Sequence, residues 1–285
     1  MATETTEERI EEVEDGVREM TFVEHLEELR MHIMRSVIVI VAVAIVVFFA
    51  TDIILTKVIF APIQSDFLTY KVFCALSHKI GLEGALCYDP TTIKLITLDM
   101  GEAFLLHIKI CFFGGLIVSF PYVLWEAWKF IRPALYNNEI NATRGVVSVS
   151  SFLFLLGVCF GYFVMAPFAI NFLVNYNLPM INDGGNMIKA TSYINYMIMF
   201  TIPTGVLFEL PIVVYYLSKI GLVTDAGMRT YRRHAIIAIL LLAAVVTPPD
   251  VMTQIIIGIP IYFLYEISIN IAAKQTKKRE QEMSS

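Results

Sequence analysis

The chain has 285 residues, of which 57% are hydrophobic and only 16% are charged. Soluble domains usually carry about 25% charged residues, so this sequence lacks the polar surface that a globule in water needs. The mean hydropathy of +0.68 indicates instead that continuous apolar stretches face lipid. The composition therefore excludes an ordinary soluble protein. The formal net charge of −5 does not identify a partner, because the charge is unevenly distributed.

The N-terminal segment holds much of the negative charge. Residues 1–19 contain eight acidic side chains and two arginines. A segment with this composition cannot bury enough apolar surface to fold by itself. We therefore expect 1–19 to be a disordered acidic tail, 20–273 to form a membrane core, and 274–285 to be a basic cytoplasmic tail.

Six apolar stretches are candidates for membrane-spanning helices, since about 20 residues are needed to cross the hydrocarbon core. They run from 33 or 36 to 50, and over 104–125, 146–168, 193–217, 235–246 and 255–265. The last two are short, at about a dozen residues or roughly 18 Å of helix. The predicted fold is an all-α integral membrane protein with six transmembrane helices, of which the fifth and sixth are short.

The distribution of Lys and Arg predicts the orientation. If both termini are inside, fifteen of the 21 basic residues, including every arginine, lie on the inner side, and six lie on the outer side. This asymmetry agrees with the positive-inside rule. We expect a multi-pass protein of the cell membrane with both termini cytoplasmic, and we expect 51–102 to be an extracytoplasmic loop.

Two cysteines fall in that outer loop. An oxidising exterior would allow Cys74 and Cys87 to form a disulfide, which would contribute about 3 kcal/mol by restricting the unfolded chain. The alternative is a pair of unpaired thiols. Cys111 and Cys159 lie within spans, where cysteine usually acts as a small apolar residue.

Motifs for catalysis or cofactor binding are absent from the sequence. The five histidines are scattered, without an HExxH pair or a Cys/His metal spacing. Neither a glycine-rich phosphate loop nor a GxSxG motif is present. We therefore expect no enzyme, no cofactor, no metal and no nucleic-acid partner.

One carboxylate lies deep within an apolar stretch. Glu209 occurs about two-thirds of the way along 193–217, where an ionisable group costs on the order of 3 kcal/mol to insert. Pro203, Gly205 and Pro211 predict a kink around it. Glu209 could meet a partner or a cavity, could carry protons in a proton-coupled secondary transporter, or could be a protonated group bonded to a neighbouring helix. The absence of an internal repeat argues against the transporter.

The segment that precedes the first span predicts an amphipathic helix at the inner surface. Thr21 and Glu24 fit a capping box, and apolar residues then recur at helical spacing. Taken alone, its acidic side chains would form a solvated face. The inner loop 125–139 is rich in aromatic residues, which are typical of a membrane interface.

Six short motifs occur along residues 20–273 in a fixed order. They are His25-Leu26-Glu27-Glu28-Leu29-Arg30; Ala61-Pro62; Phe130-Ile131-Arg132-Pro133-Ala134-Leu135-Tyr136 with Glu139; Gly161-Tyr162-Phe163; Phe208-Glu209-Leu210-Pro211; and Thr247-Pro248-Pro249-Asp250 with Gln254. Together they resemble the TatC family, the core subunit of the twin-arginine protein translocase. The chain departs from that family in its longer outer loop after Pro62 and in its acidic tail.

This resemblance implies a concave, glove-shaped bundle. It also implies a membrane receptor and scaffold that binds Arg-Arg signal peptides at its cytoplasmic face and supports export of folded proteins driven by the proton-motive force. The implied partners are the signal peptides of folded cargo proteins, small single-span subunits of the TatA and TatB type, further copies of the chain, and the lipid bilayer.

The resemblance also assigns roles to individual residues. Glu28 and Glu139 would bind the signal peptide, because Arg donates bidentate hydrogen bonds to a carboxylate whereas Lys offers only a point charge. Arg30, Phe130 and Pro133 would shape that site. A second set of residues, which would contact partner subunits or serve assembly and translocation, consists of Glu209, Pro62, Asp250 and Gln254.

Overall fold

The computed structural model describes residues 22–64, 66–80, 87, 93–131, 143–175, 187–246 and 251–284. The predicted acidic tail 1–19, most of the inner loop that carries Pro133 and Glu139, and the turn that carries Asp250 lie outside these residues.

Helices make up most of the described chain. In chain order they are α1 (Phe22–Phe49), α2 (Thr51–Ile54), α3 (Leu68–Ile80), α4 (Glu102–Ile131), α5 (Thr143–Phe160), α6 (Ala166–Asn175), α7 (Ala190–Leu207), α8 (Leu210–Lys219), α9 (Asp225–Thr230), α10 (Arg232–Val246) and α11 (Val251–Ser284). The irregular helical pieces are two π-helical segments, Leu55–Ile59 and Gly161–Met165, and one 3₁₀ turn, Ala61–Ile63. The two strands are β1 (Lys94–Ile96) and β2 (Met187–Lys189).

Five helical stretches of the described chain are long and apolar enough to cross a membrane. They are Val23–Phe49, Glu102–Phe130, Gly145–Val174, Ala190–Lys219 and Gln254–Lys278. The prediction of an all-α, multi-pass membrane protein is confirmed. The remaining predicted span corresponds to α10, which has 15 residues and is short as expected.

The sixth helix differs from its predicted length. The apolar run was expected to end at Tyr265, but α11 has 34 residues. The helix continues through Glu266 because glutamate and the lysines that follow it are good helix formers, and the carboxylate of Glu266 is paired with neighbouring side chains. Arg232 Nη2 lies 2.8 Å from one carboxylate oxygen of Glu266, and the Tyr262 hydroxyl donates to the other at 3.1 Å.

The fourth span is interrupted where the proline pattern predicts a kink. Helix α7 ends at Leu207, Phe208 and Glu209 form a turn, and α8 begins at Leu210 with Pro211 at its second position. Proline has no N–H to donate and is tolerated in the first turn of a helix. The break therefore places Glu209 at an irregular point of the backbone.

Glycines bring neighbouring helices into close contact. A Cβ atom on Gly161 would lie 2.5 Å from the carbonyl oxygen of Phe200 on α7, and one on Gly115 would lie 2.9 Å from the backbone nitrogen of Ala44 on α1. Small residues are favoured at such contacts because helices in lipid associate through close packing. Helix α4 thereby packs along α1, and the third span packs along α7.

The central core lies where α4, the third span, α7, α10 and α11 meet. Tyr193 and Phe200 of α7 and Ile257 and Ile261 of α11 are at most 1% exposed. The hydroxyl of Tyr193 donates to the carbonyl of Ile59 at 2.6 Å. This bond ties the irregular segment after α2 to the core.

A small parallel sheet, which the sequence did not predict, joins two outer segments. Residues 94–96 of β1 pair in register with residues 187–189 of β2. Since β1 precedes α4 and β2 leads directly into α7, the sheet fixes the starts of two spans side by side. Lys189 adds an ion pair to Asp99 at 2.9 Å, and this bond raises the pKa of the lysine above its usual value.

We expect Gly161→Ala to destabilise the bundle by about 1–3 kcal/mol, because the added methyl group overpacks the contact with the α7 backbone. Gly258→Ala is the matched control, since its Cβ would meet Leu240 at an ordinary 3.6 Å. Thermal unfolding in detergent, followed by size-exclusion chromatography, measures the difference. Equal midpoints for the two variants would contradict this account of the packing.

Candidate functional site

The N-terminal end of α1 and the C-terminal end of α4, termed inner after the orientation predicted from the sequence, form an aromatic and acidic patch. The ring of His25 stacks on Phe130 with 4.4 Å between centroids, and the ring of His32 approaches the same phenylalanine edge-on at 6.2 Å. Glu28 lies three residues after His25 and four before His32. Helical residues at these spacings share a face, so Glu28 lies on the side of α1 that faces Phe130.

The other predicted signal-peptide residues are placed differently. Arg30 is exposed and lies five residues after His25, about 140° around the helix from it, so it does not share the face of Glu28. Glu139 and Pro133 lie outside the described residues. The structure thus brings two of the five residues, Glu28 and Phe130, to one surface.

A buried carboxylate beneath this patch was missed by the sequence analysis. Glu126 is 1% exposed, and His32 Nδ1 lies 2.6 Å from one of its oxygens. Lys129 Nζ lies 3.5 Å from the other oxygen and 3.3 Å from the centroid of the Trp125 ring. The sequence offered only one weak signal, a carboxylate between two tryptophans near a span end, because its burial depends on contact with α1.

Glu209 is half-buried, and only one of its two carboxylate oxygens accepts a hydrogen bond within the described residues. Ser150 of α5 donates a hydrogen bond to Oε2 of Glu209. Within the described residues, Oε1 of Glu209 is buried and has no hydrogen-bond partner. Leaving a buried acceptor unsatisfied costs about 1–3 kcal/mol. The bond to a neighbouring helix, one of the sequence-based alternatives, therefore accounts for one carboxylate oxygen and leaves the other for a further donor.

An apolar cavity of about 650 Å³ lies between α1, α4, the π-helical segments and α7. Its lining is mostly apolar and includes Val47, Ile117, Cys159 and Met197, with Lys57 among the few polar residues. Apolar walls of this kind fit hydrocarbon chains or apolar side chains.

Two residues with predicted assembly roles make contacts inside the bundle. Pro62 is buried, and its carbonyl accepts a hydrogen bond from the Tyr70 hydroxyl at 2.9 Å. Burial raises the pKa of Tyr70 to about 12, so this donor stays protonated at neutral pH. The side-chain amide of Gln254 donates to the carbonyl of Leu240 at 2.8 Å, which fixes α11 against α10.

Cys74 and Cys87 form a disulfide in the structure, with 4.3 Å between their Cα atoms. His78 Nε2 lies 3.8 Å from the sulfur of Cys87. The three side chains could supply metal ligands by distance alone, but a metal is bound by thiolates, and both sulfurs are held in the disulfide. The arrangement is therefore a covalent link between α3 and the chain that follows it.

These features define a multi-pass, all-helical membrane protein with a carboxylate–aromatic patch at one end of its first two spans. A family model described as Sec-independent protein translocase protein (TatC) matches residues 24–260. The chain belongs to this family.

Similarity to individual family members covers from 62% to 92% of this chain. A protein of Blattabacterium sp. subsp. Periplaneta americana, named Sec-independent protein translocase protein TatC, is 35% identical over 266 residues, covering 92% of this chain and 98% of that protein. A Helicobacter pylori protein of the same name is 38% identical over 178 residues, covering 62% and 70%. The crystal structure of the twin-arginine translocase receptor TatC in the detergent DDM superposes with a TM-score of 0.69 at 29% identity, covering 87% of this chain and 99% of that one.

We expect the disulfide to determine thiol reactivity. Of the four cysteines, only Cys111 and Cys159 should react with a maleimide-coupled polymer when the denatured protein is not reduced, and all four should react after reduction. Cys74→Ser should release Cys87 and give three adducts without reduction, counted as gel shifts. Four adducts on the unreduced protein would show that the two thiols are unpaired.

Proposed function

We propose that this chain is the membrane receptor and scaffold of a twin-arginine translocase. It binds Arg-Arg signal peptides at its cytoplasmic face and supports export of folded proteins driven by the proton-motive force. One observation carries the proposal. Glu28 is held on the Phe130 face of α1, and its carboxylate has no hydrogen-bond or ion-pair partner among the described residues. A carboxylate placed in this way is available to an incoming cation.

The surroundings of Glu28 favour arginine over lysine as that cation. A guanidinium group donates two parallel hydrogen bonds to one carboxylate and also stacks on aromatic rings, whereas an ammonium group does neither as well. Phe130 supplies a ring on the face of α1 that carries Glu28, where it stacks on His25. Glu139 follows Phe130 by nine residues in the inner loop, and we propose that it binds the second arginine, with Pro133 fixing the path of the loop.

The arginines beside the patch predict the side of the membrane on which it lies. The patch lies at the span ends that are flanked by arginine, including Arg30 and Arg35, and the positive-inside rule places these ends in the cytoplasm. Signal peptides are presented on that side before export. The inner position of the patch therefore supports its role as the receptor surface.

The partner proteins in this proposal are small single-span subunits of the TatA and TatB type, together with further copies of the chain. Oε1 of Glu209 lacks a donor within the described residues. A polar side chain on a partner helix would supply one, and hydrogen bonds between helices in a membrane contribute about 1–2 kcal/mol. Family membership and this half-satisfied carboxylate support the assignment over proton-coupled transport of a small solute.

We expect Glu28→Gln to weaken binding of an Arg-Arg signal peptide by about tenfold, since a charge-assisted hydrogen bond contributes about 1.5–3 kcal/mol. The matched control is Glu27→Gln, because Glu27 is exposed and points away from Phe130. Binding is measured by photocrosslinking of labelled peptides to full-length protein in nanodiscs, and a Lys-Lys peptide reports selectivity.

The receptor function requires a specific set of peptide preferences in that crosslinking experiment. The wild-type protein must prefer Arg-Arg over Lys-Lys, and Glu28→Gln must remove most of the preference while Glu27→Gln retains it. Equal crosslinking of the two peptides to the wild-type protein would refute the receptor function.

We expect Glu209→Ala to reduce association with a TatA- or TatB-type subunit several-fold while leaving peptide crosslinking near Glu28 unchanged, because the two sites lie on different spans. Ser150→Ala is the companion variant. It removes the donor to Oε2 but keeps the carboxylate, so it should retain association. Co-purification from membranes measures both variants, and full association of Glu209→Ala would remove Glu209 from the partner site.

A further inference from the structure

We propose that His32 and Glu126 are positioning residues of the signal-peptide site. Their buried pair fixes the rotation of α1 that turns Glu28 toward Phe130. The inference rests on the proposed receptor function, but the geometric part of it can be tested separately.

Helix α1 has few contacts that could fix its rotation. Only 6% of its most apolar stretch is buried within the protein, and it packs chiefly against α4. Its apolar side chains do not favour one rotation of the helix over another, since lipid solvates each side of such a helix equally well. The rotation of α1 must therefore come from specific contacts with α4.

These contacts occur at three levels. Near the outer end, His107 of α4 bonds to Thr51 at 2.7 Å and stacks on Phe48. In the middle, Gly115 admits the backbone of Ala44. This glycine contact fixes the distance between the helices, but it has no directional bond to oppose rotation at the inner end.

The inner level is the bond between His32 and Glu126. An ionised carboxylate only accepts hydrogen bonds, so Nδ1 of His32 carries the hydrogen and donates it over 2.6 Å. Glu126 is almost fully buried, and Lys129 and the Tyr122 hydroxyl supply further contacts. Removing His32 takes one donor from a buried carboxylate, which is unfavourable, and it removes the contact that reaches Glu126 from α1. Rotation of α1 would break this bond.

The position of the pair connects it to the receptor patch. His32 follows Glu28 by four residues, and Glu126 precedes Phe130 by four. On both helices the pair therefore lies about one turn further into the membrane, on the same face as the patch. A shift of α1 by one residue would rotate Glu28 by about 100° and carry it away from Phe130.

The test uses variants at His32 that keep or remove the donor. His32→Asn retains an N–H near the position of Nδ1, whereas His32→Leu keeps the volume but removes the donor. Glu126→Leu provides a second way to remove the bond, in case one variant fails to fold. Spin labels at Glu27→Cys and Ala127→Cys, both exposed positions, in a Cys159→Ser background report the arrangement of α1 and α4 in nanodiscs by double electron–electron resonance.

We expect His32→Leu to broaden or shift the distance distribution and to weaken Arg-Arg peptide crosslinking about tenfold, the loss expected when Glu28 no longer reaches the peptide. His32→Asn should retain both. Rescue by asparagine distinguishes a directional bond from simple filling of space.

Two outcomes would overturn the inference, and each differs from a failure of the receptor function. An unchanged distance distribution in both His32→Leu and Glu126→Leu would show that the pair does not fix α1. A changed distribution with unchanged peptide binding would show that the rotation does not serve the site. If Glu28→Gln itself leaves Arg-Arg binding intact, the receptor function fails, whatever the distances show.

Discussion

Hydrocarbon provides transmembrane helices with no hydrophobic force toward one another, so this bundle depends on close backbone contact and on a few buried polar pairs. Gly161 and Gly115 provide the close contact, because a side chain at either position would collide with the backbone of the adjacent helix. The polar pairs then set rotation and depth. His32 with Glu126 acts at the inner end of α4, and the Leu98 N–H and the Thr191 hydroxyl donate to Glu102 at its outer end. Helix α4 is thus anchored at both ends, and α1 takes its position from it.

The sequence predicts those parts of this architecture that depend on local pattern. The long apolar stretches predict the spans, and Pro211 beside Glu209 predicts the break in the fourth span. The apolar run before Glu266 locates the span but not the end of α11, which continues through charged residues to Ser284. The pairing of Glu266 with Arg232, 34 residues earlier in the chain, could not be predicted locally. The strands β1 and β2 were missed for the same reason, since each has three residues and forms only by pairing with the other.

In the candidate site, too, local pattern predicts some residues, and contacts between distant segments determine the others. The motif around Glu28 identified a helix with a carboxylate, but periodicity alone did not distinguish Glu28 from Glu27. The stacking of His25 on Phe130 makes that distinction, because it shows which face of α1 meets α4. Glu126 had only a weak signal, its place between two tryptophans near a span end, since its burial requires both helices to be in place. Residues whose role depends on a contact between distant segments thus become visible only in the folded chain.

We propose a different role for glutamate at each of three positions, based on the number of donors around each carboxylate among the described residues. Glu126 has His32 and Lys129 beside its two oxygens and is nearly inaccessible, so it acts on structure. Within the part of the chain that the structure describes, Glu209 has one donor and one buried oxygen without a partner, so a helix that supplies a donor would gain a hydrogen bond there. Glu28 is half-buried and has no donor among the described residues, so none of these residues competes with a peptide for its carboxylate. A carboxylate whose oxygens already accept hydrogen bonds within the fold has little capacity left for a ligand. This rule supports the proposed roles of Glu126 in the scaffold, Glu209 in partner contact and Glu28 in the receptor surface.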